Sequence, residues 1–359
     1  MLITSVEFLI LDNAFPFVLI KTDDGITGIG ECFRRQPKVT KTVVEELLAP
    51  AIIGKNPLQT EARFQDMASA GNASEIGGAI WIGIAGLDIA MWDLKGKALG
   101  MPIYDLLGGK VRDEMPVYAS SMKRNMTPME EAKRALYFVE QGYKSYKLHS
   151  AVPGKIDHPA DQTIETVTEV RKAVGDKTNI LVDVNGAYSV HHAIEIGKQL
   201  EQLGVFHFEE PRPHDDLLGL SRVAEALTIP IASGENIYTP QQYIDLMKIG
   251  QVDIIQPDIV KTPGFTTMIK ISHIAEEFGI PITCHNTQPT ISTIAHAHFV
   301  AATPGIPYDQ EYNIEHVSIR DDYPILTEPI NIRNGMLEIP DGPGLGVELD
   351  MNSIDRFIG

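Results

Sequence analysis

The first third of the chain combines two strand-like segments with a long helical region. Hydrophobic positions alternate or run together in LITSVEFLILD (2–12) and FVLIKTDDGITGIGEC (17–32), which predicts strands joined by a short loop. Apolar residues then recur with helical spacing from about Lys41 to Leu107, most clearly in TVVEELLAPAII and AIWIGIAGLDIAMWDLKGKAL. This part of the chain is predicted to form an α+β unit.

From Val117 onward, short apolar segments alternate with amphipathic stretches. The predicted strands are VYASS, SYKLHS, ILVDVNG, FHFEEP, IPIASGEN, VDIIQPD, IPITCHN and IPYDQEY. The predicted helices include PMEEAKRALYFVEQ, HHAIEIGKQLEQLG, LLGLSRVAEAL, PQQYIDLMKIG and GFTTMIKISHIAEEFG. Strands and helices that alternate at a repeat of about 25 to 30 residues are typical of a (β/α)8 barrel. We therefore predict an α/β barrel over residues 113–321.

The C-terminal tail returns to strand and turn character in NIRNGMLEIPDGPGLGVEL. It cannot form another strand–helix unit, so it is expected to pack back onto the N-terminal unit. The predicted division is therefore residues 1–112, completed by 322–359, and the barrel at 113–321. A chain of 359 residues is long enough for one large domain and a smaller one.

Composition argues against several classes of function. The net charge of -18 disfavours nucleic acid and anionic membranes as partners, although an anionic small molecule can still bind through local cations. No apolar run reaches membrane-spanning length and MLITSVEF does not resemble a signal peptide, so a cytoplasmic protein is expected. Two cysteines, Cys32 and Cys284, do not make a disulfide scaffold, and Cys284 is expected to be a small buried residue.

Ionisable residues recur at the ends of the predicted barrel strands. The last inward positions of the strands are Lys147, His149, Asp183, Glu209, Glu235, Asp258, His285 and Glu311. From Asp183 onward their separations are 26, 26, 23, 27 and 26 residues, about one strand–helix unit each. A single carboxylate after a strand is often a helix cap. A whole set lying within or against apolar runs is more costly to bury, unless the charges are paired or bind a metal.

Three carboxylates from neighbouring strands are expected to converge on one point. Asp183, Glu209 and Glu235 offer only oxygen ligands, which suits a hard cation such as Mg2+ and disfavours zinc. Side chains alternate along a strand, so only one glutamate of FEEP can point inward. We assign Glu209 as the ligand and give Glu210 a supporting or salt-bridge role.

A histidine and an aspartate end the next two strands. Neighbouring strands lie about 5 Å apart, so Asp258 can hold one ring nitrogen of His285 and raise the basicity of the other. Across the predicted metal, Lys147 and His149 share one face of SYKLHS because side chains two residues apart point the same way. The sequence thus predicts proton-transfer groups on both sides of the site.

These motifs resemble the mandelate racemase and muconate lactonizing enzyme branch of the enolase superfamily. The resemblance covers nearly the whole chain and rests on TDDGITGIGE, GLDIAMWDLKGKALGMPIYDLLGG, YKLH, VDVNGAY, FEEP, SGEN, QPDIVKTPG, CHNTQ and PDGPGLG. It implies a modified (β/α)8 barrel of the (β/α)7β type under an α+β N-terminal capping domain. It also implies Mg2+ on Asp183, Glu209 and Glu235, and abstraction of the proton α to a carboxylate through an enediolate.

The chemistry explains why such a site combines a cation with bases. The charge of an enediolate must be stabilised as it forms, and a divalent cation contributes several kcal/mol of that stabilisation. By the resemblance, Glu311 donates a hydrogen bond to the developing enediolate and Lys147 lies close to the substrate carboxylate. Many members carry Lys-x-Lys on the second strand, with the second lysine as the base, whereas this chain has Lys147-Leu148-His149, so by the resemblance His149 takes the base position. Which of Lys147 and His149 transfers the proton stays open, as do the contacts of KTPG, which lacks paired glycines.

The proton-transfer groups on the two sides of the site differ in type. This favours an acid-sugar dehydratase, because elimination needs a base and a separate acid for the leaving hydroxyl. The alternative is a cycloisomerase, racemase or epimerase that acts on a related hydroxy acid or lactone. A barrel that binds sugar acids without turnover would be favoured by an apolar ligand or base position, and none occurs. A metal-dependent hydrolase would be expected to use histidine ligands.

Substrate recognition is expected to come from loops around the barrel mouth. ECFRRQP places Arg34 and Arg35 in a capping loop, where they can bind the distal end of a sugar acid or lie on the solvated surface. Asn185, just after Asp183, is a further candidate substrate-binding residue. Large barrels often associate, so a homo-oligomer is expected.

Overall fold

The N-terminal unit begins with an antiparallel sheet of three strands. The structure is a computed structural model that describes residues 1–72 and 77–358. The strands are β1 (Ile3–Leu11), β2 (Phe15–Thr22) and β3 (Thr27–Glu31), in the order β1-β2-β3. The hairpin between β1 and β2 turns at Asp12 and Asn13, whose φ angles of 50° and 53° suit a tight turn.

Helices cover one face of this sheet. They are α1 (Pro37–Val43), a π-helical segment (Val44–Leu48), α2 (Ala49–Ile52), α3 (Thr60–Asn72), α4 (Gly78–Leu99) and α5 (Ile103–Leu106). Helix α4 is buried on most sides, in keeping with its lack of a polar face. It packs directly on β3 because Gly28 and Gly30 have no side chains. A Cβ at Gly30 would lie 1.9 Å from the Gly86 carbonyl oxygen.

Parallel strands form the larger unit. They are β4 (Glu114–Ser121), β5 (Ser145–His149), β6 (Asn179–Asp183), β7 (His207–Glu209), β8 (Ile231–Ser233), β9 (Ile254–Ile255) and β10 (Gln310–Asn313). They pair in the order β10-β4-β5-β6-β7-β8-β9. The helices of this unit are α6 (Pro128–Glu140), α7 (Thr163–Val174), α8 (Val190–Gln202), α9 (Leu217–Ala226), α10 (Pro240–Lys248), α11 (Gly264–Phe278), α12 (Ile291–Ala302) and α13 (Ser318–Asp321).

The barrel is not closed by a continuous hydrogen-bonded ladder within the described residues. The predicted strand IPITCHN pairs with β9 through an isolated parallel bridge between Ile282 and Ile255, and the His285 amide donates to the Pro257 carbonyl at 3.2 Å. Beyond it, the Glu311 amide donates a single hydrogen bond of 3.4 Å to the Cys284 carbonyl. Prolines account for part of this irregularity, because Pro257 and Pro281 have no N–H to donate. The seventh strand is thus an extended segment rather than a regular strand.

The C-terminal tail contacts both units. Strands β11 (Ile332–Arg333) and β12 (Met336–Glu338) form a hairpin, and β12 pairs antiparallel with β4. Further on, the Ile103 amide donates to the Gly344 carbonyl at 3.0 Å, which ties the tail to α5. The chain ends with α14 (Met351–Asp355). The predicted domain boundaries stay a prediction.

The predicted fold class is confirmed: a modified α/β barrel lies under an α+β N-terminal unit. The predicted helices PMEEAKRALYFVEQ and PQQYIDLMKIG correspond to α6 and α10, and each begins with a threonine capping box followed by proline. No helix in the described part of the chain is both long enough and apolar enough to span a membrane.

Candidate active site

Strand register brings the predicted site residues together at the C-terminal ends of the barrel strands. His149 on β5 is the register partner of Asp183 on β6, and Asp183 is the partner of Glu209 on β7. Glu235 lies two residues beyond β8, and His285 follows the extended segment that takes the place of strand seven. This end of a parallel barrel is where enzymes of this architecture place their active sites.

Asp183, Glu209 and Glu235 form a buried cluster of carboxylates. One oxygen from each residue can be chosen so that all three lie within 4.8 Å of one another. Asp183 and Glu209 are fully buried, and Glu235 is 7% exposed. Three buried carboxylates at this separation repel one another unless cations compensate them. Their oxygen-only donor set fits Mg2+, as the sequence predicts.

Lys147 lies beneath the carboxylate cluster as a fully buried cation. Its Nζ donates to the two carboxylate oxygens of Glu209 at 2.9 and 3.1 Å and lies 2.7 Å from Glu311 Oε1. Burial opposes the ammonium charge, but Glu209 and Glu311 outweigh it and raise the pKa of Lys147 well above its usual value. All three N–H donors of the ammonium therefore have carboxylate acceptors within reach.

His149 and His285 approach opposite ends of the cluster. His149 Nε2 lies 3.0 Å from Asp183 Oδ2, and its Nδ1 lies 2.6 Å from the Ser121 carbonyl oxygen. A carbonyl can only accept a hydrogen bond, so the proton on Nδ1 is fixed and Nε2 is the atom that can exchange a proton in the site.

His285 has the same orientation with a different partner behind it. Its Nε2 lies 2.9 Å from Glu235 Oε2, and its Nδ1 lies 2.7 Å from Asp258 Oδ2. Burial alone would lower its pKa, but the charge of Glu235 and the hydrogen bond to Asp258 contribute to raising it to about 10. The predicted contact between Asp258 and His285 is thus present.

Glu311 is held by neutral donors as well as by Lys147. Ser120 donates to Oε1 at 2.7 Å, and the backbone amide of Asn286 donates to Oε2 at 2.8 Å. Burial would raise its pKa, but the charges of Lys147 and His285 lower it below the usual value. Glu311 lies between the two sides of the site, 2.7 Å from Lys147 Nζ and 3.9 Å from His285 Nε2, and its predicted hydrogen bond to the enediolate stays a prediction.

Glu210 and Asn185 support the cluster from behind. The Asn185 side-chain amide donates to Asp183 Oδ2 at 2.9 Å, and Asn236 donates to Glu210 Oε1 at 2.9 Å. Burial raises the pKa of Glu210 well above its usual value, and the charges of Glu235 and Asp183 add to this effect. Binding of substrate by Asn185 stays a prediction; in this structure its side chain contacts Asp183 and accepts a hydrogen bond from Arg124.

The predicted arginines differ in their surroundings. Arg35 is exposed, whereas Arg34 is half-buried and its backbone amide donates to Gln288 Oε1 at 2.5 Å. Burial and the charge of Arg35 lower the pKa of Arg34, while the charges of Glu31 and Glu311 act in the opposite direction. Arg34 therefore lies within the electric field of the site.

Two further cations near the site were not predicted. Lys261 Nζ lies 3.5 Å from Glu235 Oε1 and 4.5 Å from the centre of the Phe33 ring, and the residue is only 5% exposed. Arg124 follows β4 and donates to the Ser150 carbonyl at 2.6 Å. In the sequence, Lys261 could have been noticed as a charged residue inside the apolar stretch IVKTPG, three positions after Asp258. Arg124 follows VYASS, whose last residues are uncharged, so the strand-end pattern does not mark it.

Comparison with known families identifies the chain. Residues 10–108 match the family model "Mandelate racemase / muconate lactonizing enzyme, N-terminal domain", and residues 129–353 match "Enolase C-terminal domain-like". The chain belongs to the enolase superfamily, in its mandelate racemase and muconate lactonizing enzyme branch. The resemblance predicted from the sequence motifs is confirmed.

Similar members of the enolase superfamily include sugar-acid enzymes. The arabinonate dehydratase of Saccharolobus solfataricus is 34% identical over 331 residues, which cover 91% of this chain and 86% of the relative. The D-xylonate dehydratase of Haloferax volcanii is 31% identical, with 99% of this chain and 89% of the relative covered. The structure of the 3,6-anhydro-D-galactonate cycloisomerase from Zobellia galactanivorans matches with a TM-score of 0.90 and 29% identity, and 100% of each chain is covered. The protein is therefore an enzyme.

Proposed function

We propose that this protein is a Mg2+-dependent acid-sugar dehydratase. It removes the proton α to the carboxylate of a sugar acid and then eliminates water from the adjacent carbon. The observation that carries the proposal is a pair of histidines whose Nε2 atoms flank the carboxylate cluster, each held by a different kind of partner at Nδ1. The relatives named as dehydratases support the same reaction class.

Asp183, Glu209 and Glu235 would hold the Mg2+ ion. When bound, the ion supplies positive charge that stabilises the negative charge developing on the substrate carboxylate oxygens. The cluster suits this role because its three carboxylates are buried and close together. Lys147 adds a fixed positive charge beside them, and its contacts with Glu209 and Glu311 leave it in a holding rather than a proton-transferring role.

His285 is the proposed base. In its neutral form its Nε2 takes the α-proton, and the Asp258 carboxylate behind Nδ1 stabilises the imidazolium that forms. A cation held by Glu235 would offset the negative charge that raises the pKa of His285 and would so favour the neutral ring. The geometry resembles the base and its orienting carboxylate in other enzymes that activate a histidine. Glu311 lies between His285 and Lys147. To donate a hydrogen bond to the enediolate it must first take up a proton, which the charges of Lys147 and His285 oppose.

His149 is the proposed acid. Its Nε2 gives a proton to the leaving hydroxyl, which departs as water, while Nδ1 stays bonded to the neutral Ser121 carbonyl. A neutral carbonyl opposes release of the proton less than a carboxylate at Nδ1 would. His149 contacts Asp183 at one end of the cluster and His285 contacts Glu235 at the other, so proton and hydroxyl leave from opposite faces of the substrate.

A cycloisomerase is the second candidate. It is supported by the likeness in structure to a 3,6-anhydro-D-galactonate cycloisomerase over the full length of both chains. Such an enzyme also begins with removal of an α-proton, but the acid group then serves ring opening or closure instead of loss of water. The two candidates therefore share the base and differ in the product.

The test is a panel of aldonic acids, aldaric acids and their lactones, incubated with the enzyme and Mg2+ and analysed by NMR. The dehydratase proposal predicts that at least one open-chain acid is converted to a 2-keto-3-deoxy acid. Conversion of a cyclic substrate to an isomer, with no loss of water from any open-chain acid, would establish the cycloisomerase instead. A variant with His191→Asn, on the exposed surface of α8, controls for nonspecific effects.

A further inference from the structure

A buried hydrogen-bond network joins the N-terminal unit to the loop that follows His285. Glu31, the last residue of β3, is fully buried, and so is Gln288 in the loop. Gln288 Nε2 donates to Glu31 Oε1 at 2.7 Å and to the Cys32 carbonyl at 3.0 Å. Its Oε1 accepts from the Arg34 backbone amide at 2.5 Å. One side chain thus binds three parts of the segment 31–34.

The carboxylate of Glu31 completes the network from the other direction. Its Oε2 accepts from the Thr290 hydroxyl at 2.9 Å and from the Ser292 backbone amide at 2.7 Å. The latter amide lies in the first turn of α12, whose early N–H groups have no partner within the helix. Glu31 therefore fixes both the loop and the start of the helix that follows it.

The same loop reaches the proposed catalytic groups. The backbone amide of Gln288 donates to Asn286 Oδ1 at 3.3 Å, and the backbone amide of Asn286 donates to Glu311 Oε2 at 2.8 Å. Asn286 directly follows His285 in the chain. A continuous path of hydrogen bonds therefore runs from Arg34 through Gln288 and Asn286 to Glu311.

We propose that Glu31 and Gln288 form a clamp that positions the Arg34 segment of the N-terminal unit against His285 and Glu311. Both are positioning residues, since they touch neither the carboxylate cluster nor the reacting end of the site. The clamp would set the distance between Arg34, a candidate for binding the distal end of the substrate, and the proposed groups that transfer protons. The expected effect of the clamp on kinetics rests on the proposed function. The clamp as a structural feature does not.

The donor and acceptor pattern gives a reciprocal test. In Glu31→Gln, an amide nitrogen would face the Gln288 amide nitrogen, two donors with no acceptor between them. In Gln288→Glu, two carboxylates would face each other in the interior. The double variant Glu31→Gln/Gln288→Glu restores one donor and one acceptor between these two positions. Its carboxylate at 288 cannot donate to the Cys32 carbonyl as Gln288 does, so only partial recovery is expected. The amide introduced at position 31 can donate to the carboxylate introduced at position 288, while the amide oxygen still accepts from Thr290 and Ser292.

Hydrogen–deuterium exchange measured by mass spectrometry tests the clamp without any substrate. Peptides that contain the Arg34 and Ser292 amides should exchange about tenfold faster in each single variant and return toward the wild-type rate in the double variant. Peptides from β5 should exchange at the same rate in all proteins. Gln202→Glu, an exposed change of the same type on α8, serves as the matched control. Unchanged exchange in both single variants, or a double variant no slower than the singles, would overturn the proposal.

Kinetics with the acid identified by the panel extend the test. Each single variant should lower kcat/KM about tenfold through a higher KM, and the double variant should recover part of the loss. If Glu31→Gln does not accumulate as folded protein, Thr290→Val removes one hydrogen bond to Glu31 with little change of shape and should still accelerate exchange at Ser292. If no acid is turned over, the exchange results alone decide the clamp, and the proposed function fails separately.

Discussion

At the residue scale, His149 and His285 differ mainly in the group that contacts Nδ1. Both direct Nε2 at a carboxylate of the cluster, but Nδ1 meets a neutral carbonyl in His149 and the Asp258 carboxylate in His285. A carboxylate stabilises the protonated ring, whereas a carbonyl only fixes its orientation. This difference is the reason for assigning the base to His285 and the acid to His149.

The assignment predicts different outcomes for the two histidine variants in D2O. His285→Asn should lower both turnover and exchange of the substrate α-proton by about 100-fold or more, because it removes the base. His149→Asn should lower turnover to a similar extent and still allow exchange, since His285 can return a deuteron to the same carbon. NMR of the recovered acid measures the exchange.

The exposed variant His191→Asn should behave as wild type in both assays. The reverse pattern, with exchange lost in His149→Asn and kept in His285→Asn, would interchange base and acid. Wild-type turnover in both variants would remove the two histidines from the mechanism altogether.

Sequence reasoning reached most of this site because its residues follow strands of one parallel sheet. Parallel strands in register end at one level, so spacing along the chain predicts proximity in space for Asp183, Glu209 and Glu235. Lys261 and Gln288 were not found in this way. Both act from loops, and loop side chains have no fixed direction that spacing alone could predict.

At the element scale, packing of α4 on α11 depends on a buried carboxylate. Asp88 in α4 accepts from the Thr266 hydroxyl at 2.6 Å and from the Thr266 amide at 3.0 Å. Gly264 begins α11 with a φ of +67°, and a Cβ at this position would lie 2.3 Å from Asp88 Oδ2. The single glycine of KTPG thus admits Asp88, which accounts for one contact that the sequence left open.

Because of Asp88, the free energy of unfolding is expected to depend on pH. Burial raises its pKa to about 7, although the hydrogen bonds from Thr266 oppose the shift. The folded state therefore holds this proton more tightly than the unfolded state, so the associated stability is full below about pH 4 and lost as the pH rises through about 7. Asp88→Asn, which carries no titrating group, should gain stability relative to wild type between about pH 5 and about pH 8.

Urea unfolding at these two pH values measures the effect, expected to be on the order of 2 kcal/mol. The exposed change Asp105→Asn in α5 controls for loss of a surface charge. Equal changes of unfolding free energy with pH in wild type and Asp88→Asn would contradict the role given to Asp88.

Elements were predictable where periodicity was strong and less so where prolines interrupt the backbone. The amphipathic helices α6, α8 and α10 follow directly from their spacing of apolar residues. Helix α12 is buried along nearly its whole length and shows no polar face, so periodicity does not reveal it. The irregular seventh strand has a different origin, because apolar content marked it as a strand while Pro257 and Pro281 limit its pairing.

At the scale of the whole molecule, a strongly acidic chain would have to attract the proposed anionic substrate. The net charge is -18, and the proposed ligand cluster adds local negative charge. Arg34, Arg124 and Lys261 lie around the site and offset this charge where the acid would approach. Assembly into a homo-oligomer stays a prediction.

The contacts between the two units are a further part of the fold that the sequence did not predict. Register within a sheet follows from alternation, but no comparable rule aligns β3 with the loop after His285. The clamp between Glu31 and Gln288 could therefore be found only from the positions of the folded backbone.

The proposed reaction requires that Asp183, Glu209 and Glu235 hold a Mg2+ ion without which the α-proton is not removed. The most direct test is the rate at which the α-proton signal of the identified acid disappears in D2O, followed by proton NMR with metal-free enzyme. We expect no loss of signal in excess chelator, full recovery when Mg2+ is restored, and no recovery for Glu235→Gln at the same Mg2+ concentration. Loss of the signal at the wild-type rate in enzyme confirmed to be metal-free would contradict it.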